Sequence, residues 1–115
     1  MTNKTKHSLL LAHIVIIILG FGVYSNSLNG KFVWDDTYLV KDNRFIYDYS
    51  NALKIFTQDT EAGSGGKSNL YRPLQIFSYM FDYSLWKLDA RGYHLTNILL
   101  HIGVSLSLFW LINII

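Results

Sequence analysis

Two apolar runs bracket a polar middle. Residues 1–8 are polar and carry Lys4 and Lys6, and residues 9–24 are then apolar except for His13. At 1.5 Å per residue, a helix over that run reaches about 25 Å, the short end of a bilayer span. Tyr24 is placed to anchor at the far interface. His13 reads as a neutral histidine turned toward another helix. A cleavable leader is the rival reading, with Lys4 and Lys6 as its basic start, residues 9–19 as its apolar core and Ser25-Asn26-Ser27 as its cleavage site. Under both readings the residues after Tyr24 lie outside the cytoplasm. Lysines without acids before the run put the N-terminus in the cytoplasm.

The middle is more irregular. Residues 25–30 read as a turn. Phe32-Val33-Trp34 has strand or interface character, and Asp36 or Thr37 is placed to cap a short helix. Phe45, Ile46, Tyr49, Leu53 and Phe56 share one helical face, with Ser50 or Asn51 as the N-cap. Residues 57–69 form a glycine-rich, flexible loop. Gly66-Lys67-Ser68 does not make a phosphate loop, because Glu61 stands where the motif needs glycine and no strand precedes it. Pro73 suits the first position of a helix in which Leu74, Phe77, Met80, Phe81, Leu85 and Leu88 line one face and Gln75, Ser78 and Asp82 another. Phe77, Tyr79, Phe81, Tyr83 and Trp86 give that helix an interfacial character, suited to lying in the membrane plane. Asp89-Ala90-Arg91-Gly92 is a turn with Gly92 as a helix stop. From Leu95 to the end, about 21 residues make a second span of roughly 31 Å.

The predicted fold is thus an α-helical membrane protein fragment, with two transmembrane helices flanking a long extracytoplasmic loop that contains amphipathic in-plane helices. Its segments are a cytoplasmic start (1–8), a first span (9–24), the loop (25–92) and a second span (93–115). The chain closes inside an apolar run, as expected of part of a longer multispanning protein. Half of the 115 residues are hydrophobic and the net charge is only +2, with no basic cluster of the kind that binds nucleic acid. There is no cysteine, which excludes disulfides and thiolate metal sites.

The chemistry centres on Asp35 and Asp36. Adjacent carboxylates near lipid titrate apart, which suits one of them to general-base work; the competing role is a solvated pair or a helix cap. His94, Asn97 and His101 step by three and four and share one face of the second span, expected to turn toward a polar cavity and the acidic loop. With them the acid pair offers enough ligands for a divalent cation, the cofactor this site admits, with Asp35 and Asp36 as its carboxylate ligands. Arg72, held beside Pro73, suits a lipid-linked phosphate or an ordinary ion pair with an acid such as Asp82. Lys41 and Arg44 are secondary phosphate candidates.

Four blocks in order carry a resemblance: Tyr24-Ser-Asn-Ser-Leu-Asn-Gly-Lys-Phe-Val-Trp-Asp-Asp36, Asp42-Asn43, Tyr71-Arg-Pro-Leu74 and Gly92-Tyr-His-Leu-Thr-Asn-Ile-Leu-Leu-His101. Together they resemble the N-terminal region of the transmembrane and tetratricopeptide-repeat family, within the GT-C class of membrane glycosyltransferases that includes the protein O-mannosyltransferases. The resemblance implies transfer of a sugar from a polyprenyl-phosphate carrier to an extracytoplasmic protein or glycan acceptor. It places Asp35 and Asp36 in the active site, as base or metal ligand, and implies no firm role for Arg72. Further spans and tetratricopeptide repeats belong to the family pattern and lie outside this chain, and the glycine-rich insert at 63–66 departs from it. On composition the membrane is a bacterial inner membrane, with the endoplasmic reticulum as alternative. A non-catalytic anchor for a repeat domain is the rival function, and a transporter or lipid-flipping fragment with His94 and His101 lining a polar path is a third.

Overall fold

A computed structural model describes residues 3–115; residues 1 and 2 and the Lys4 side chain, on which part of the predicted cytoplasmic start rests, lie outside the described residues. The described residues are helical and contain no strand. Two units are present: residues 3–29 with 94–115, and residues 30–93.

The first unit is an antiparallel helical pair. Helix α1 (Asn3–Tyr24) begins before the apolar run and continues as a 3₁₀ turn, Ser25–Asn29. Its partner is the part of helix α4 (Ala90–Ile114) from His94 onward. Both helices are long and apolar enough to cross a membrane. The His13 ring meets Phe109 edge-on at 5.1 Å, and Tyr24 meets His101 at 4.8 Å. Between these contacts Gly20 lets the backbones approach: a Cβ there would lie 2.5 Å from Ile102 Cγ1. Small residues set helix contacts in this way where lipid supplies no hydrophobic drive between helices. His13 Nδ1 lies 2.7 Å from the Leu9 carbonyl, so the one polar ring in the run bonds to its own helix.

The second unit is a small core wrapped by short turns. Leu39, Val40, Ile46, Ile55, Ile76, Met80 and Tyr93 are buried together. Full burial of an aliphatic side chain of this size contributes about 1.5–3 kcal/mol. A π-type turn (Thr37–Lys41) supplies Leu39 and Val40. The helix expected across 45–56 is instead split into 3₁₀ turns Arg44–Tyr47 and Tyr49–Asn51 and a short α2 (Ala52–Thr57). Side-chain caps cause the division. Phe45 N–H donates to Asn43 Oδ1 at 3.1 Å, and Ser50 N–H donates to Asp48 Oδ1 at 2.8 Å. Asn51 makes no capping bond; its Oδ1 accepts from Lys54 Nζ.

Helix α3 (Pro73–Trp86) begins on Pro73 as expected but presents a different face to the core. Ile76 and Met80 are buried, with Phe77, Tyr79 and Tyr83 packed beside them. Asp82, assigned to a polar face, is only 2% exposed, whereas Leu74, Phe81 and Leu85 are exposed. Gly92 does not stop a helix. Lys87, at φ 54°, ends α3, and Gly92 lies inside the first turn of α4. A Cβ at Gly92 would sit 2.1 Å from Trp86 Cγ, so glycine is needed for this approach.

Asn43 is fully buried, and Gly63 lies directly against it. A Cβ at Gly63 would come within 1.8 Å of Asn43 Oδ1 and 3.0 Å of Phe45 Cγ. Gly63→Ala is therefore expected to destabilise the protein by about 1–3 kcal/mol, the usual cost of overpacking. Gly22→Ala, whose Cβ meets nothing within 4 Å, is expected to leave it unchanged. Thermal unfolding in detergent separates the two.

Candidate functional site

The acid pair sits on a tight turn in the second unit. Asp36 N–H donates to the Val33 carbonyl at 3.0 Å, Thr37 N–H to Trp34 at 3.2 Å and Leu39 N–H to Asp35 at 2.9 Å. Phe32-Val33-Trp34 is thus no strand. Trp34 takes φ 49°, a left-handed conformation uncommon for a bulky residue. The two carboxylates have different settings. Asp36 Oδ2 accepts the Val33 N–H at 2.9 Å, so it closes the turn backward rather than capping the helix ahead. Asp35 is exposed, and its backbone carbonyl starts the π-type turn.

Tyr79 brings further groups into this neighbourhood. Burial raises its phenol above the ordinary range, and the negative charges of Asp36 and Asp82 add to that rise. A hydrogen bond from Gln75 and the Arg72 guanidinium act in the opposite direction. Gln75 Nε2 donates to the Tyr79 hydroxyl at 3.0 Å. The phenol therefore stays protonated at neutral pH and has its own proton to donate. Asp36, Arg72, Tyr79 and Asp82 thus share one electrostatic environment, of which sequence reasoning had singled out the first two as site residues. Tyr79 and Asp82 were missed because the helix was phased on its leucines, which turn outward.

Arg72 is positioned by a residue with no sequence signal. Its N–H donates to Thr60 Oγ1 at 3.0 Å, and the Thr60 amide and hydroxyl both donate to the Leu70 carbonyl at 2.9 Å. The glycine-rich stretch is therefore tied rather than free. Asp59 Oδ1 accepts from Glu61 N–H at 2.9 Å, Ser68 N–H at 3.0 Å and Ser68 Oγ at 2.8 Å. These bonds, the backbone ones foremost, hold the Asp59 carboxyl down at about 2. The Tyr71 hydroxyl donates to the Phe56 carbonyl at 2.7 Å and closes the same loop.

In the first unit, His94, Asn97 and His101 line a single pocket of about 280 Å³ together with Tyr24 and Ser27. His94 Nε2 is buried there without a hydrogen-bond partner. A buried polar atom left unpaired costs free energy that a bound polar ligand recovers. Tyr24, read as an interfacial anchor, packs its ring edge-on against His101 while staying exposed.

Among the described residues, no three His, Asp or Glu side chains converge as a metal site. Two carboxylates fall short of the six or more oxygen ligands a hard divalent cation takes. A cation on Asp35 and Asp36 would draw its other ligands from substrate, water or elsewhere in the protein.

Comparison with known proteins decides the family. The chain is 32% identical over 108 residues to "Protein O-mannosyl-transferase Tmtc3" of Drosophila melanogaster, a match covering 91% of this chain and 12% of that protein. It is 31% identical over 99 residues to "Protein O-mannosyl-transferase TMTC2" of Homo sapiens, covering 84% of this chain and 12% of the relative. "Protein O-mannosyl-transferase F38B6.6" of Caenorhabditis elegans gives 31% identity over 84% of this chain and 14% of the relative. The chain belongs to the transmembrane and tetratricopeptide-repeat (TMTC) family. It spans about an eighth of the length of the TMTC proteins it matches. No family model matches this TMTC chain, and no solved structure does.

The Asp59 bonds predict a pH response. Its folded carboxyl lies below the ordinary 3.8, so the loop closure is complete above about pH 4 and is lost as pH falls toward about 2. Asp59→Ala, which removes the accepting oxygen, is expected to open the loop at every pH. Trypsin reports it: cleavage after the exposed Lys67 should accelerate in the variant at pH 7.5, with no change after Lys31.

Proposed function

We propose that this chain forms part of the catalytic unit of a GT-C-type membrane glycosyltransferase, which moves a sugar from a polyprenyl-phosphate carrier to a hydroxyl of an extracytoplasmic protein or glycan acceptor. The observation that carries the proposal is the unequal setting of the acid pair in a chain related to O-mannosyl-transferases. Asp36 is occupied in closing the turn, whereas Asp35 stands exposed beside it.

Asp35 takes the proton of the acceptor hydroxyl, whose oxygen attacks the anomeric carbon. The bond from that carbon to the phosphate oxygen breaks, and polyprenyl phosphate leaves. Asp36 closes the turn that carries Asp35 and so holds it in place. In the loop unit Arg72 is the phosphate contact; separately, the polar face of His94, Asn97 and His101 in the helical pair takes a polar group of the donor, a role that the unpaired His94 Nε2 supports. In this reading both long helices span the membrane in a multi-pass protein with a cytoplasmic N-terminus. The loop faces the far side of a bacterial inner membrane or the endoplasmic reticulum, and the exposed Leu74, Phe81 and Leu85 lie against lipid.

Asp35→Asn in the full-length protein is expected to lower transfer from a labelled polyprenyl-linked sugar by about 10²–10⁴-fold, the usual worth of a general base. Asp36→Asn keeps an oxygen for Val33 N–H and should lose less. His94→Ala should raise KM for the donor. Wild-type turnover in Asp35→Asn would instead favour the anchor reading.

A further inference from the structure

The second unit carries a concavity apart from the acid turn. It is a groove of about 680 Å³ between the start of the 44–47 turn and the glycine-rich loop, lined by Lys41, Asp42, Arg44, Tyr47, Gly63 and Ser64 among others. We propose that this groove is the acceptor subsite of the transferase, and that it selects an acceptor polypeptide bearing an acidic side chain near the target hydroxyl. The proposal rests on the reading of the chain as part of a glycosyltransferase and specifies which acceptors it takes.

Charge supports this choice. Lys41 and Arg44 are two cations against the single carboxylate of Asp42, which leaves one net positive charge for one acidic side chain. Arg44 offers the planar fork that pairs with a carboxylate through two parallel hydrogen bonds. Size supports it as well. The volume lies in the range that holds a drug-sized ligand or a few residues of peptide, far more than a bare phosphate fills. A polyprenyl tail would need an apolar trough, whereas charged and hydroxyl groups make up much of this lining.

The floor is built for close backbone approach. Gly63 and the adjoining small residues carry no bulk, and the buried Asn43 behind Gly63 keeps the floor from yielding. The Tyr47 wall is rigid too. Its ring stacks on Tyr83 at 4.5 Å, and its hydroxyl donates to the Lys41 carbonyl.

The position along the chain fits an acceptor. The π-type turn that begins at the acid pair ends at Lys41. Five residues advance at most about 7 Å, the α-helical figure, which an extended peptide covers in two or three residues. An acidic side chain two to four positions from the acceptor serine or threonine therefore reaches the cations while the hydroxyl reaches Asp35.

The test measures binding and transfer separately, on the full-length protein in detergent. The probes are two fluorescein-labelled nonapeptides with a central threonine, one carrying glutamates and the other lysines three positions to either side. By anisotropy, the wild type should bind the glutamate peptide at least about fivefold more tightly, the effect of one modest ion pair. The Lys41→Glu/Arg44→Glu variant should invert that preference, and its gain of lysine-peptide binding reports an intact fold. Lys41→Gln/Arg44→Gln should abolish the preference without raising KM for the lipid-linked sugar. Equal binding of both peptides to the wild type would overturn the proposal. So would a raised donor KM together with displacement by inorganic pyrophosphate but not by peptide, which would mark a carrier-phosphate site. Charge-selective binding without sugar transfer would sink only the transferase reading, and transfer indifferent to acceptor charge only the groove.

Discussion

The second unit depends on side-chain oxygens that accept backbone amides. Apart from helix α3, its elements are turns and a short helix of three to six residues, too short to satisfy their own N–H groups, and buried amides must be paired. Asp36 accepts from Val33, Asn43 from Phe45, Asp48 from Ser50, Asp59 from Glu61 and Ser68, and Thr60 from Arg72. Each bond fixes where one turn ends and the next begins, and so decides which apolar side chains reach the core. Between the buried Val40 and Ile46, Asp42 closes one turn and Asn43 opens the next.

This dependence explains what was legible in the sequence. The two long helices were plain, because residues 9–24 and 95–115 are apolar runs of nearly a bilayer's thickness. The start of α3 was legible from Pro73. Helical periodicity misled across 45–56, where Asn43 and Asp48 override it with caps that propensity ranks no higher than any surface polar residue. It misled again in α3, where Leu74, Phe81 and Leu85 form a stripe as regular as the buried one through Ile76, Met80 and Tyr83. Two apolar stripes on one helix cannot be ranked without knowing what covers each.

The site was legible in its residue types more than in its geometry. Spacing and charge single out the acid pair, Arg72 and the shared face of His94, Asn97 and His101 as candidates. That Asp36 is tied to the Val33 amide while Asp35 stays exposed does not follow from them, since it rests on one bond. Thr60 and Gly63 were invisible for the same reason: both act through atoms ten or more residues away in sequence. Within the glycine-rich stretch, Gly63 is the residue on which the buried Asn43 rests.

The outward stripe of α3 has a practical consequence. Leu74 is 75% exposed, and Phe81 and Leu85 are more than half exposed, although this helix is not one of the two long enough to cross a membrane. Trimming away both long helices would not yield a water-soluble globule, because the remaining piece would still carry a greasy ridge. Biochemists isolating residues 30–93 alone should expect it to need an amphiphile, or to pair with itself along that ridge.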